Sequence, residues 1–286
     1  MEKFKSLVFR YPLTACLAIM AIVLPLTELP LEGLMTPALG LQKASYLSGI
    51  IQQGVMSVVI FWLIARLGLL KEGGFTKFSE WKAVWLVWPL IIYSVLNGSD
   101  LIDSPYRINW ADGGLIALLV LLYISVGTIE EFLFRGLILP LMLRKWGSTR
   151  KGIYTAVLVS SAIFGVVHLL NFIAGRRDLL TTGTQILYGT FFGVFFAALV
   201  LRNRSIWPAV FGHFLFDLAG NLMEITEGYV FTRVEPTTTV EGALIVTALL
   251  LPLLLIGLFY LRKVEPVAAG STALPGTGEI TVQTAG

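Results

Sequence analysis

The chain has 286 residues, of which 56% are hydrophobic and only 14% charged, with a mean hydropathy of +0.81. An average soluble domain carries about 25% charged residues, so this composition excludes an ordinary water-soluble globular protein. A single cysteine, Cys16, excludes an internal disulfide framework and any zinc site built on paired thiols. The net charge of +3 comes without a dense Lys/Arg run, which excludes a nucleic-acid patch and fits the positive-inside bias of a membrane protein.

Crossing about 30 Å of hydrocarbon takes roughly 20 mostly apolar residues. Eight segments are the expected spans, in chain order 11–29, 46–70, 83–97, 114–143, 152–174, 180–201, 206–223 and 243–261. The expected fold is therefore all-α, a polytopic membrane protein of about eight transmembrane helices with its polar site in the helical core. Residues 1–110 hold the first three helices, 111–225 a core of helices four to seven, 226–263 a loop and the last helix, and 264–286 a tail. The N-terminus contains a decoy. Leu13-Thr14-Ala15-Cys16 resembles a lipoprotein cleavage box, but the apolar run Leu17 to Leu26 follows Cys16 instead of preceding it, so an uncleaved first helix is expected. The tail is rich in Gly, Ala, Thr and Pro without an apolar period and is expected to be disordered and cytoplasmic. Of the 21 basic residues, fifteen fall on the side of the N-terminus. Only Lys43, Arg107, Arg176, Arg177 and Arg233 fall on the other side, and Arg135 lies within a span. That bias places both termini in the cytoplasm of a plasma (inner) membrane protein.

Ionisable side chains within spans cost roughly 2.5–3.5 kcal/mol each on insertion scales, so they persist mainly where they pair or work. Here they gather in the fourth, fifth and seventh expected spans: Glu130, Glu131 and Arg135; His168 with Asn171; His213 and Asp217 with Asn221. Both histidines of the chain are among them. On a helix Arg135 lies about 40° around the axis from Glu131 but about 140° from Glu130. Glu131 is thus the expected ion-pair partner, leaving Glu130 for another task, against the alternative that both acids lock helices together in one buried network. Phe164 and His168 share a helix face, Asn171 borders it, and His213 and Asp217 face the same way. The run Phe191, Phe192, Phe195, Phe196 reads as lipid contact or core.

A carboxylate and two imidazoles with a second carboxylate can form a water-activating hydrolytic site. Glu130 can act as general base toward a water that His168 orients, and His213 with Asp217 can stabilise charge on a carbonyl oxygen. The same four residues, Glu130, His168, His213 and Asp217, also make a legitimate zinc or iron set. The contiguous HExxH of zincins and the GxSxG of serine hydrolases are absent.

Glu130-Glu131-x-x-x-Arg135, Phe164-x-x-x-His168 and His213-x-x-x-Asp217, in that order on three hydrophobic segments, resemble the motifs of the CPBP family. This family comprises intramembrane proteases related to the CAAX prenyl endopeptidase, to lysostaphin-resistance-type proteins and to bacteriocin-processing and immunity proteins. The resemblance spans roughly residues 114–223. It implies a CAAX-type intramembrane glutamic endopeptidase without a cofactor, with zinc as the alternative because members were long called metalloproteases. It further implies that Glu130 and His168 activate water, that His213 and Asp217 form an oxyanion hole, that Glu131 and Arg135 hold the site together, and that Phe164 shapes it. Asp217 departs from the Asn of the CAAX endopeptidases. An amide donates a hydrogen bond to an oxyanion, whereas a carboxyl does so only when protonated; Asp217 therefore either is protonated, or orients His213, or favours a metal.

Straight helices would place Glu130, His168 and His213 at different depths. If the fourth span ends near Gly136 and the stretch to Leu143 runs along the membrane interface, Glu130 comes close to His213, whereas His168 stays too deep unless the fifth helix starts outside the hydrocarbon or tilts; the expectation is a cavity open to the cytoplasm. The expected partners are membrane lipids and a peptide or lipidated protein substrate, with no nucleic acid. Two rival readings are a proton-coupled transporter or channel, since such residues also build proton pathways, and a non-catalytic immunity-type membrane protein. The lack of a repeated half argues against transport.

Overall fold

The computed structural model describes residues 2–77, 81, 83–102, 104–234 and 236–266. The tail from 267 onward, expected to be disordered, lies outside the described residues. The helices are α1 (Glu2–Arg10), α2 (Pro12–Leu26), α3 (Glu32–Leu39), α4 (Leu41–Leu67), α5 (Trp88–Asn97), α6 (Gly113–Glu131), α7 (Leu139–Trp146), α8 (Arg150–Val167), α9 (Leu169–Ile173), α10 (Leu179–Asn203), α11 (Trp207–Gly220) and α12 (Val240–Leu261). Short side chains cap most of the long ones. Asp112 accepts from Leu115 N–H at the start of α6, Thr149 from Gly152 N–H at α8, Asp178 from two N–H groups at α10, and Thr239 from Gly242 N–H at α12. Hydrogen bonds from Thr181 hold the Asp178 carboxyl below its ordinary range, and the bond from Lys43 does the same for Asp112.

Between α6 and α7 the chain does not break. Phe132–Ile138 is a π-helical turn, so Gly113–Trp146 is one helical run of 34 residues, about 51 Å long against about 30 Å of hydrocarbon. Pro140 has no N–H to offer the carbonyl of Gly136, four residues back, so ordinary α-helical pairing cannot close there. Every residue from Glu131 to Leu143 is buried. The segment from Gly136 to Leu143 is therefore enclosed by α4, α8 and neighbouring elements of the protein and presents no exposed face.

Among the described residues six helical segments, where eight spans were expected, are long and apolar enough to cross a membrane: Leu41–Leu67, Val84–Leu101, Gly113–Trp146, Arg150–Ile173, Leu179–Asn203 and Val240–Leu261. A seventh arises only if α1 and α2, bent by 110°, count as one. The expected span at 206–223 becomes α11, whose 14 residues reach about 21 Å. Its start explains the shortfall. Ser205 and Ile206 are fully buried, and Ile206 N–H donates to the Gly74 carbonyl at 2.9 Å. Gly74 takes φ +78°, and a Cβ there would stand 2.8 Å from the Ile206 nitrogen; only glycine suits both the backbone and the space. The α4–α5 connection thus enters the bundle, touches Gly136 through Gly73, and lets α11 begin inside the protein.

Two close approaches set the helices around the site. A Cβ on Gly127 of α6 would lie 3.1 Å from the Phe214 nitrogen and 3.2 Å from the Val210 carbonyl oxygen of α11, and one on Gly165 of α8 would lie 2.5 Å from the Ile186 carbonyl oxygen of α10. Small residues at such crossings let backbones meet, as membrane helix pairs require. Gly127→Val should therefore destabilise by about 1–3 kcal/mol through overpacking, read as a lower Tm in thermal unfolding of the purified protein. Gly54→Val, placed where a Cβ meets nothing within 4 Å, should leave Tm in place; equal Tm for both variants would refute the packing assignment.

Candidate active site

Glu130 and Glu131 close α6 at the point where the helix passes into the π turn, and Arg135 sits within that turn. Arg135 Nη1 donates to Glu131 Oε1 at 2.9 Å. The same oxygen accepts a second hydrogen bond, from His213 Nδ1 on α11, also at 2.9 Å. Gly127, one turn before the acids, is what brings α11 this near. The link from Glu131 to His213 had no signal in the sequence spacing, since the residues are 82 positions apart.

With Nδ1–H committed to Glu131, the other ring nitrogen of His213 faces two more acids. Nε2 lies 3.5 Å from Glu130 Oε2 and 3.4 Å from Asp217 Oδ2. Exposure separates the three carboxylates. The Glu131 side chain is 0% exposed, whereas those of Glu130 and Asp217 are 31% and 25% exposed. Glu131 and Arg135 are sealed in the protein, and Glu130 and Asp217 border open space on the far side of the imidazole.

His168 ends α8. Its Nδ1 lies 3.1 Å from the Phe164 carbonyl and 3.2 Å from that of Gly165. Both are acceptors, so Nδ1 carries the proton and Nε2 is left with a free lone pair. The ring rests near Gly189 of α10, where a Cβ would lie 3.5 Å from it. Phe164 stands edge-on to both histidines, with centroids 5.4 Å from His168 and 6.1 Å from His213, and the Arg135 guanidinium lies 4.3 Å over its ring. Asn171 donates to Gln185 at 2.9 Å and ties α9 to α10. Asn221 donates to the Asp217 backbone carbonyl at 2.7 Å, supporting the C-terminal end of α11.

Sequence reasoning missed Phe196. It belongs to the phenylalanine run of α10, and it is buried, but it is also the ring on which His213 stacks, with centroids 5.0 Å apart and planes 17° apart. The Arg135 guanidinium lies 5.1 Å from the same ring. Nothing in a stripe of four phenylalanines distinguishes one that holds an imidazole from three that fill space.

Among the described residues no three His, Cys, Asp or Glu side chains, Glu130, His168, His213 and Asp217 included, gather as closely as a bound metal requires. A separate apolar groove of about 560 Å³, lined by residues that include Val84, Ile124, Val210 and Phe214, holds none of these charged groups.

Two outcomes follow from this geometry. Glu131→Gln leaves the buried Arg135 without its counter-charge and should cost about 3–5 kcal/mol, whereas Glu130→Gln, at the open edge, should leave thermal unfolding of the purified protein nearly unchanged; equal losses would mean one undivided structural network. Phe196→Leu should abolish the low-field Nδ1–H resonance of His213 in histidine-labelled protein, identified by its persistence in His168→Gln. Phe195→Leu, a comparable truncation packed on Tyr260, should retain it, and persistence of the signal in Phe196→Leu would remove the positioning role.

Residues 112–219 match the family model for type II CAAX prenyl endopeptidases, Rce1-like. The match begins at the residue that caps α6 and ends within α11, so it contains the two acids, Arg135, both histidines, Asp217 and the two aromatic rings that contact them. No curated protein and no solved structure matches the chain significantly. Over this segment, with its ordered glutamates, arginine and histidines on membrane-type helices, the chain is similar to the CPBP/CAAX protease family of membrane peptidases.

Proposed function

We propose that this protein is a CAAX-type intramembrane glutamic endopeptidase that hydrolyses a peptide bond in a membrane-associated peptide or lipidated protein. The observation that carries this reading is the division of the paired acids across His213: Glu131 is buried as an acceptor, and Glu130 is left at the open edge of the same imidazole. In this mechanism Glu130 takes a proton from a water that the free Nε2 of His168 helps to orient, and the resulting hydroxide adds to the scissile carbonyl. His213 Nε2–H donates to the oxygen that becomes negative, with Glu131 holding the ring so that this nitrogen points outward. Glu130 then returns its proton to the leaving amine as the C–N bond breaks.

Asp217 has a distinct place in the proposal. With Glu130, Glu131 and Asp217 ionised and Arg135 and His213 protonated, the cluster carries one net negative charge. One proton shared between Glu130 and Asp217 neutralises it, and a protonated Asp217 supplies the donor that an asparagine would supply as an amide. No step uses a metal. The proposed setting is the plasma (inner) membrane, with both termini in the cytoplasm and the site open toward that side, in keeping with the distribution of Lys and Arg.

The test compares the peptides released by wild-type, Glu130→Gln and His168→Ala protein in the same membranes. Each variant should keep its fold and lose cleavage by about 10²- to 10⁴-fold, the usual worth of a general base, and chelation should leave wild-type cleavage intact. Full activity in either variant would reject the assignment, and cleavage lost to a chelator and restored by zinc would replace it with a metal mechanism.

A further inference from the structure

We propose that α1 lies flat in the headgroup layer of the bilayer and binds its anionic phospholipids. The bend of 110° between α1 and α2 turns the first helix out of line with the second. Its position along the bundle is fixed by two contacts. Lys5 Nζ would lie 3.4 Å from a Cβ on Gly68, the residue that caps the end of α4, and Phe9 lies under the guanidinium of Arg144, 4.3 Å away, in the last turn of α7. Arg144 in turn donates to Glu72 through Nε at 2.7 Å. α1 therefore crosses the ends of two long helices where they leave the apolar region, beside Trp62 with Arg66 and Trp146 with Lys145, the pairing of aromatic and basic residues found at membrane surfaces.

The faces of α1 have separate characters. Val8 is buried against the protein, flanked by the half-buried Lys5 and Phe9. Phe4 and Leu7 are 45% and 57% exposed, and Tyr11 continues their side just beyond the helix. Lys3 and Arg10, seven residues apart and both exposed, occupy another side. A helix with a protein-facing edge, an apolar exposed edge and a basic edge suits the boundary of acyl chains and headgroups. Its basic edge, together with Arg66 and Lys145 at the same end of the bundle, is complementary to negatively charged headgroups. A helix destined for water would not expose Phe4 and Leu7 side by side, and one buried in hydrocarbon would not carry Lys3 and Arg10.

The test uses the full chain with Cys16→Ala and Leu7→Cys, labelled at position 7 with an environment-sensitive dye and reconstituted in bilayers of phosphatidylcholine and phosphatidylglycerol. A nitroxide on the fifth acyl carbon is placed on one lipid or the other. Quenching should be at least about twofold stronger from the phosphatidylglycerol probe. Lys3→Gln with Arg10→Gln should remove the preference while leaving the residual quenching, since both residues are exposed and the Arg10 guanidinium lies only over the ring of its chain neighbour Tyr11. Equal quenching from both lipids in the unsubstituted helix would overturn the proposal. So would quenching by aqueous iodide, or a dye that neither lipid reaches because a second copy of the chain covers it.

Discussion

One oxygen organises this protein. Glu131 Oε1 accepts from Arg135 and from His213 at the same 2.9 Å, and both donors are buried with it. A carboxylate in that position, without its partners, would face the full cost of an uncompensated charge away from water. The helices are therefore committed to a particular arrangement: the end of α6 must meet the middle of α11, and the turn that follows must bring Arg135 back over the acid. Gly127 supplies the first requirement by removing a side chain from the crossing. The π turn supplies the setting for the second, and π turns interrupt α-helices most often at functional sites.

From that oxygen the site divides into a sealed half and an open half. On the sealed side the Arg135 guanidinium is held among the rings of Phe164 and Phe196, at distances where a cation is attracted to an aromatic face. On the open side are the carboxylates of Glu130 and Asp217, and His213 stands between the halves with one nitrogen turned to each. Phe196 lies flat against the imidazole and Phe164 meets its edge, so the ring is fixed in plane by packing and in rotation by Glu131. His168 arrives from a separate helix pair, α8 and α10, that approach through Gly165. Four of its ionisable groups, Glu131, Arg135, His213 and His168, have their orientation set by hydrogen bonds within the protein, which is preorganisation in the physical sense.

The bundle is also less regular than a set of straight spans. The connection after α4 runs back into the protein, and α11 starts on it, fully covered at Ser205 and Ile206. A short helix that begins inside can place His213 and Asp217 at the level of Glu130 without any helix having to bend to meet them. The depth mismatch expected from counting residues inward from a common surface came from assuming that every helix begins at that surface. At the other extreme, the 34-residue run through α6 and α7 extends well past the apolar layer, and its far end carries the Arg144 that α1 leans against.

The membrane class, the helical fold and the membership of Glu130, Glu131, Arg135, His168, His213 and Asp217 in one polar set were legible in the sequence, because apolar runs make every ionisable group within them conspicuous. Helix periodicity went one step further and paired Arg135 with Glu131, since residues four apart share a face whatever surrounds them. It failed where the controlling contact is between helices. Hydropathy counted α11 as a span because a window of apolar residues does not reveal that the helix starts inside the bundle. It could not see that His213 belongs to Glu131, 82 residues away, or that Phe196 alone of its run lies under the imidazole. The sequence by itself determined which groups are too polar for lipid and must find one another. Only the tertiary structure decided which acid is sealed and which is open, because that depends on how closely two backbones approach at Gly127, and spacing along one helix carries no information about the next.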